Sequence, residues 1–315
     1  MRLLLVLSGI AASFAIAAAA DTQSASPRAL LTYSVVYGPG HPGGAGGGLC
    51  LARANGSRRI RLTRRNDDRS ASWSPSGRYV VFARATSGGT VSRVLVADTR
   101  GRVVRTLASA GADPAWAPDG QRIAYVSPNR GPHVVVASAT TGRIVAETPV
   151  RKALVSRPAW SPDGRRIAYT EHVDIDRSNQ AGSSRIVVVN ADASGRRVLI
   201  GQGSDPAWSP DSAKIAFVAY ASRFAESGDL AVVNADGSGP INLTATSEPE
   251  TRPAWAPSGR LVAFARGTEN TSAILVMPSG GGAARVLVRS RLFGALDPAW
   301  RRPAALPKAR RSICS

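Results

Sequence analysis

From about residue 30 onward, apolar residues fall in runs of four or five bounded by turn formers, as in Ile123-Ala-Tyr-Val126, Ile186-Val-Val-Val-Asn190, Lys214-Ile-Ala-Phe-Val218 and Leu230-Ala-Val-Val-Asn234. Runs this short, rich in β-branched and aromatic residues and punctuated by Gly, Pro, Asp and Asn, predict strands joined by tight turns. The i, i+3, i+4 spacing of an amphipathic helix is missing. One segment breaks the pattern: Leu3–Ala20 is apolar except for Ser8, Gly9 and Ser13, and follows a single charge at Arg2. Ending on Ala18-x-Ala20, it reads as a secretory signal peptide over residues 1–20 rather than a membrane anchor. No later segment is apolar enough to span a bilayer, so the expectation is an exported chain, periplasmic or extracellular.

The strand pattern is periodic. The six tryptophans stand at 73, 116, 160, 208, 255 and 300, spaced by 43 to 48 residues. Ala115-Trp116-Ala117-Pro118-Asp119-Gly120 returns as Ala159-Trp160-Ser161-Pro162-Asp163-Gly164 and, in part, as Ala207-Trp208-Ser209-Pro210-Asp211. Nine residues after each of the first five Trp comes an aromatic: Phe82, Tyr125, Tyr169, Phe217 and Phe264. The Pro-Asp-Gly step presets one φ and then frees the next, so the chain can reverse. Asp119, Asp163 and Asp211 are therefore read as turn formers, not catalytic carboxylates. Four strands per period of this length predict an all-β fold, a β-propeller of four-stranded blades.

Five full units begin at Trp73, and a sixth begins at Trp300 but stops almost at once. Its missing strands lie at the front. Leu31-Thr-Tyr33 matches Ile123-Ala-Tyr125, and Ala52-Arg-Ala-Asn-Gly-Ser57 with Ile60-Arg-Leu-Thr63 aligns without a gap to Val233–Ser238 and Ile241-Asn-Leu-Thr244. The sixth blade is thus shared between the chain ends, which closes the ring and hides its seam. The domain reading is a signal at 1–20, a linker at 21–28, the six-bladed propeller at 29–303 and a basic tail at 304–315. Cys50 falls in the third strand of the shared blade and Cys314 in the tail. In an oxidising compartment they could bridge a loop of 264 residues, worth on the order of 5 kcal/mol in the chain-entropy model. Two unpaired thiols are the alternative, and non-reducing mass spectrometry separates the two.

Composition adds a charge imbalance. The 315 residues carry 40 Lys+Arg against 21 Asp+Glu, a formal +19, and only Lys152, Lys214 and Lys308 are lysines. Arg58, Arg59, Arg61, Arg64, Arg65 and Arg69 collect near the shared blade's outer strand, and Arg301, Arg302, Lys308, Arg310 and Arg311 in the tail. Closure brings both groups to one sector, a candidate basic patch for an anionic envelope polymer, lipid headgroups or an acidic protein. Dispersed arginine from compositional bias is the competing explanation. Stacking aromatics are absent from these charges, which disfavours nucleic acid. Three His (His41, His133, His172) in three different units do not point to a shared metal site. Glu171, His172, Asp174, Asp176 and Asn179 read as a solvated hairpin loop, since their spacing misses the EF-hand pattern. No cofactor and no catalytic residue is assigned.

Three residues before each Trp stand Ser70, Asp113, Arg157, Asp205, Arg252 and Asp297, mostly followed by Pro-Ala. From Asp113 onward the signs alternate. Two readings stay open: a ring of inter-blade pairs holding the inner strands together, or a polar channel mouth that grips a partner's peptide or a small anion.

Units of the form Asp-Pro-Ala-Trp-Ser-Pro-Asp-Gly, then Ile-Ala-Tyr, then Val-Val-Asn-Ala-Asp-Gly, resemble the WD-like repeats of the TolB-type β-propeller over nearly all of residues 29–303. The resemblance implies an exported six-bladed ring serving mainly as a protein-docking platform, with partners at one mouth of the channel. TolB itself carries an α/β domain before its propeller, and only about ten residues separate the cleavage site from the first strand here. Related propellers cap serine peptidases, but no Gly-x-Ser-x-Gly elbow is present. The expectation is a monomeric, non-enzymatic binding scaffold for protein or anionic envelope material. The alternative is a lyase- or lactonase-like enzyme with its site in the channel.

Overall fold

The computed structural model describes residues 30–37, 48–53, 55–57, 59–65, 67–86, 92–173, 183–221, 227–267, 272–289 and 293–301. The signal segment, the linker and the basic tail lie outside them, as do His41, Asp174, Asp176 and Asn179. No helix among the described residues is long and apolar enough to cross a membrane.

Among the described residues, twenty-four strands form six antiparallel four-stranded sheets. Blade I contains β4 (Asp68–Trp73), β5 (Tyr79–Ala85), β6 (Ser92–Asp98) and β7 (Val103–Ala108); blade II contains β8 (Ala112–Trp116), β9 (Arg122–Ser127), β10 (His133–Ser138) and β11 (Ile144–Glu147). Blade III contains β12 (Leu154–Trp160), β13 (Arg166–Val173), β14 (Ser183–Asn190) and β15 (Arg197–Ile200); blade IV contains β16 (Gly203–Trp208), β17 (Lys214–Ala219), β18 (Asp229–Asn234) and β19 (Ile241–Asn242). Blade V contains β20 (Glu250–Trp255), β21 (Leu261–Arg266), β22 (Ala273–Pro278) and β23 (Arg285–Val288). Blade VI runs β24 (Phe293–Arg301), β1 (Leu30–Tyr37), β2 (Gly48–Arg53), β3 (Ile60–Arg61), so the chain's last strand is innermost and its first three lie outside. The shared blade read from the sequence is the one observed.

Six apolar clusters hold the ring, one between each pair of neighbouring blades. Each contains one tryptophan and one of the second-strand aromatics: Trp160 with Tyr169 on Ala124, Val134 and Val136 of blade II, Trp208 with Phe217 on Ala168, Ile186 and Val188 of blade III. At the seam, Trp73 and Phe82 pack on Leu30, Leu49 and Leu51, while Trp300 and Tyr33 pack with Ile274 and Val276 of blade V. The period of the tryptophans is thus the period of the inter-blade interfaces. Four indoles also reach back to the preceding blade through Nε1–H: Trp73 to the Thr32 hydroxyl at 2.5 Å, Trp208 to Ala159 O, Trp255 to Ala207 O and Trp300 to Ala254 O at 3.0–3.2 Å.

Connections alternate between two faces. The turns from first to second strand and from third to fourth lie on one, here the turn face. The second-to-third loops and the inter-blade connections lie on the other, the loop face. On the turn face, Asp119, Asp163 and Asp211 each accept a backbone N–H two residues on, from Gln121, Arg165 and Ala213, at 2.8–3.0 Å. That is the turn-forming role read from the repeat. Third-to-fourth turns nest against the previous blade's outer strand. A Cβ on Gly101, at φ +77°, would lie 1.7 Å from the Leu62 carbonyl oxygen, so blades VI and I approach too closely for any side chain there.

Cys50 is buried on β2 and disulfide-bonded, and among the described residues no cysteine is free. Cys314 lies outside the described residues. Glu171 and His172 correct the sequence reading: both belong to β13, not to a solvated loop. Burial explains the difference, since Glu171 is 1% exposed and takes the guanidiniums of Arg185 and Arg196 at 2.6 and 2.5 Å. The strand extends because its charge is neutralised within the fold.

Candidate functional site

The inner strands share a distortion that the repeat does not advertise. In each, one extra residue interrupts pairing with the second strand, for example between Ala112 and Ala115 on β8 and between Ser204 and Ala207 on β16. In five blades the extra residue belongs to an X-Pro step, where proline lacks the N–H that a regular ladder would need; in blade I the step is Ser70-Ala71. Residue X is the one three before each tryptophan. Ser70, Asp113, Arg157, Asp205, Arg252 and Asp297 all have positive φ, between 47° and 59°. Non-glycine residues in this region cost of order 1–3 kcal/mol each and persist only where surroundings hold them.

The carboxylates do the holding. Asp297 of blade VI accepts the backbone N–H of Ser70 in blade I at 3.1 Å, Asp113 of blade II that of Arg157 in blade III at 3.1 Å, and Asp205 of blade IV that of Arg252 in blade V at 2.9 Å. Aspartates on alternate blades thus clamp the bulge of the blade that follows. Asp297 also accepts the Ser34 hydroxyl, and Asp113 the Ser70 hydroxyl at 2.8 Å. Thr170 completes another joint by accepting the Asp205 N–H.

Arg157 crosses the channel. Its Nη1 reaches Asp297 on the opposite blade at 2.7 Å and the Ser70 hydroxyl at 3.1 Å, with Asp113 at 3.5 Å; its Nε lies 3.9 Å from Asp205. Arg252 approaches Asp297 at 3.2 Å. Burial opposes charge on both partners, yet the outcome favours it. Asp113, Asp297 and Asp205 raise the Arg157 pKa despite desolvation, and Arg252 and Arg157 hold the Asp297 carboxyl well below the usual range against the same penalty. Three aspartates, two arginines and Ser70 therefore form one bonded network around a cavity of about 360 Å³, lined by X-Pro-Ala-Trp segments of five blades and by Ser70-Ala71-Ser72 of blade I. The geometry builds the inter-blade ring of the first reading and leaves a ligand-gripping mouth few uncommitted charges to use.

Other buried charges, which the sequence reading passed over, lie toward the loop face. Asp68 and Glu250 stand two residues before the bulge in blades I and V and pair with Arg84 and Arg266. Those guanidiniums also lie over the rings of Phe82 and Phe264, 5.3 and 5.4 Å from the centroids. Thr63, Thr148 and Thr244 each accept a third-strand N–H, from Leu49, Val134 and Leu230, at 2.9–3.0 Å. The matched ends of Ile60-Arg-Leu-Thr63 and Ile241-Asn-Leu-Thr244 were the available sequence signal for the threonines. Asp68 and Glu250 also share a spacing, each five residues before its tryptophan with the partner arginine two after the second-strand aromatic, a signal the repeat offered and the sequence reading missed. His172, on β13, lies between the hydroxyls of Ser156 at 3.0 Å and Ser184 at 2.8 Å, and burial lowers its pKa despite Asp205 and Asp113 nearby. Among the described residues no group of three His, Cys, Asp or Glu converges as a metal site.

The candidate basic patch divides. Arg64 and Arg65 are exposed, Arg59 and Arg61 are half-buried, and Arg58 and Arg302 lie outside the described residues. Arg301 is not a patch residue. It is 2% exposed, donates to the Gly77 carbonyl from Nε at 3.0 Å and Nη2 at 2.7 Å, and stacks 4.9 Å over Trp73. Seam packing requires a planar donor there, which sequence proximity to other arginines conceals.

Comparison with known proteins agrees with this architecture. The structure of TolB from Acinetobacter baumannii is similar with a TM-score of 0.71 at 19% identity, over 87% of this chain and 66% of that one. A putative TolB from Agrobacterium tumefaciens gives 0.62 at 19% identity, over 85% and 91%. An oligogalacturonate lyase solved in complex with manganese gives 0.50 at 15% identity, over 82% and 73%. No curated protein matches the sequence. The family model for the TolB beta propeller domain matches residues 110–292, more than half of the sequence and most of the ring, and the chain belongs to that family.

Proposed function

We propose that this chain is an exported, non-enzymatic scaffold that docks a protein partner at the loop-face end of its channel. One observation carries the reading: the charges around the channel are spent on one another and on the bulge backbones. A channel enzyme needs an acid, base or nucleophile left free to meet substrate. A docking ring needs rigid blades and exposed connections, and a network of this kind supplies rigidity. Export rests on the apolar segment Leu3–Ala20 and on family membership.

The test is crosslinking of the purified mature protein to the envelope fraction of its native cell, with crosslinked peptides identified by mass spectrometry. The reading expects one partner protein whose crosslinks gather on the loop face. Crosslinks scattered over both faces, or no partner above background, overturn it. The rival channel lyase predicts a stoichiometric bound metal in the purified protein, read by elemental analysis.

A further inference from the structure

Among the described residues the loop face is electrically lopsided. Arg64 and Arg65 are exposed on the connection from blade VI to blade I, Arg151 and Lys152 on that from II to III, and Arg289 on that from V to VI. Arg93 is exposed at the start of β6 in blade I. None of the six makes an ion pair among the described residues. Of the carboxylates along this arc, Asp68 is paired with Arg84 and Glu147 with Arg130, while the half-buried Asp67 acts on the Arg84 charge. Between the two cationic doublets, the connection from blade I to blade II is only Ser109-Ala110-Gly111, short and uncharged. Across the face the balance reverses. The connection from III to IV is the uncharged Gly201-Gln202, and that from IV to V exposes Glu248.

We infer that the arc from Arg64-Arg65 over blades I and II to Arg151-Lys152 is the docking track for an extended acidic segment of a partner protein. The inference rests on the scaffold reading above and specifies the partner's chemistry. Unpaired cations in two doublets attract carboxylates at both ends of a track with a low, neutral centre. Val150, 42% exposed beside Arg151, adds an apolar contact of a kind a peptide side chain would use. A lipid surface or a polymer layer would meet the whole face, including Glu248, whereas a single strand of chain fits an arc confined to one side.

The probe is a fluorescein-labelled peptide of repeating Glu-Glu-Leu, titrated by anisotropy against the mature protein at low and physiological salt. Binding should weaken with salt. The variant R64S/R65S/R151S/K152S should bind roughly tenfold more weakly or worse, because four exposed attractions are removed together. The turn-face control R78S/R100S/R165S/R260S, equal in charge change, should stay within roughly twofold. Matching melting temperatures establish that both variants fold. Equal losses in the two variants would mean that net charge alone acts, and would overturn the track. Absence of peptide binding to the unmodified protein would also overturn it, while loop-face crosslinks to a partner would leave the scaffold reading standing. Phosphatidylglycerol vesicles form the second arm: if vesicle binding, and not peptide binding, depends on the loop-face arginines and Lys152, the partner class is wrong.

Discussion

Two sets of charged residues, one around the channel and one on the loop-face rim of the same ring, behave in opposite ways. Around the channel, Asp113, Asp205, Asp297, Arg157 and Arg252 are drawn into mutual contact and hold strained backbone. On the rim, Arg64, Arg65, Arg151 and Lys152 project into solvent without an ion-pair partner among the described residues. The residue types are similar; the difference is desolvation. Inside, each charge lacks water, and removing one strands its neighbours. Outside, water and salt screen each charge, so deleting one costs the fold almost nothing and leaves a change that only a partner can feel.

The strongest test of this contrast is Asp297→Ala. It strips Arg157 and Arg252 of a shared counter-charge and frees the Ser70 N–H, and should cost about 3–5 kcal/mol in denaturant unfolding. A loss under about 1 kcal/mol would show that the ring is not holding the blades. Arg301→Met comes next. It keeps apolar contact with Trp73 but leaves the Gly77 carbonyl without its donor, for a cost of about 1–3 kcal/mol. Acid titration sharpens the same point. A carboxyl whose folded pKa is depressed contributes stability that is fully present above about pH 4 and is lost as pH falls through the folded value. Unfolding free energy should therefore fall with pH below about 4 in the unmodified protein and fall less in Asp297→Asn. The smallest effect belongs to the rim: Arg151→Ser with Lys152→Ser should change stability by no more than about 0.5 kcal/mol, as read by thermal unfolding.

Much of the fold was legible because it repeats. One tryptophan per blade marks each interface, Pro-Asp-Gly or a Ser variant of it marks the first turn of blades I to V, and the gapless match of Ile60–Thr63 to Ile241–Thr244 located the shared blade. The candidate site was legible only as positions. Alternating charge three residues before tryptophan identified Asp113 through Asp297 but not their partners, since Arg157 meets Asp297 across 140 residues of sequence. Arg301 and Glu171 misled for a related reason. Charged residues read as solvated unless a partner is known, and their partners, Gly77 with Trp73 and Arg185 with Arg196, come together only when the sheets pack.

By itself, the sequence determined the blade count, the turn chemistry and the way the ends meet, because these depend on spacing and local backbone preference repeated until chance is excluded. Tertiary structure alone decided which charges lose water, where each inner strand bulges, and which cations remain exposed on the rim. Those outcomes depend on which distant residues share a dielectric environment, and closing the ring sets that.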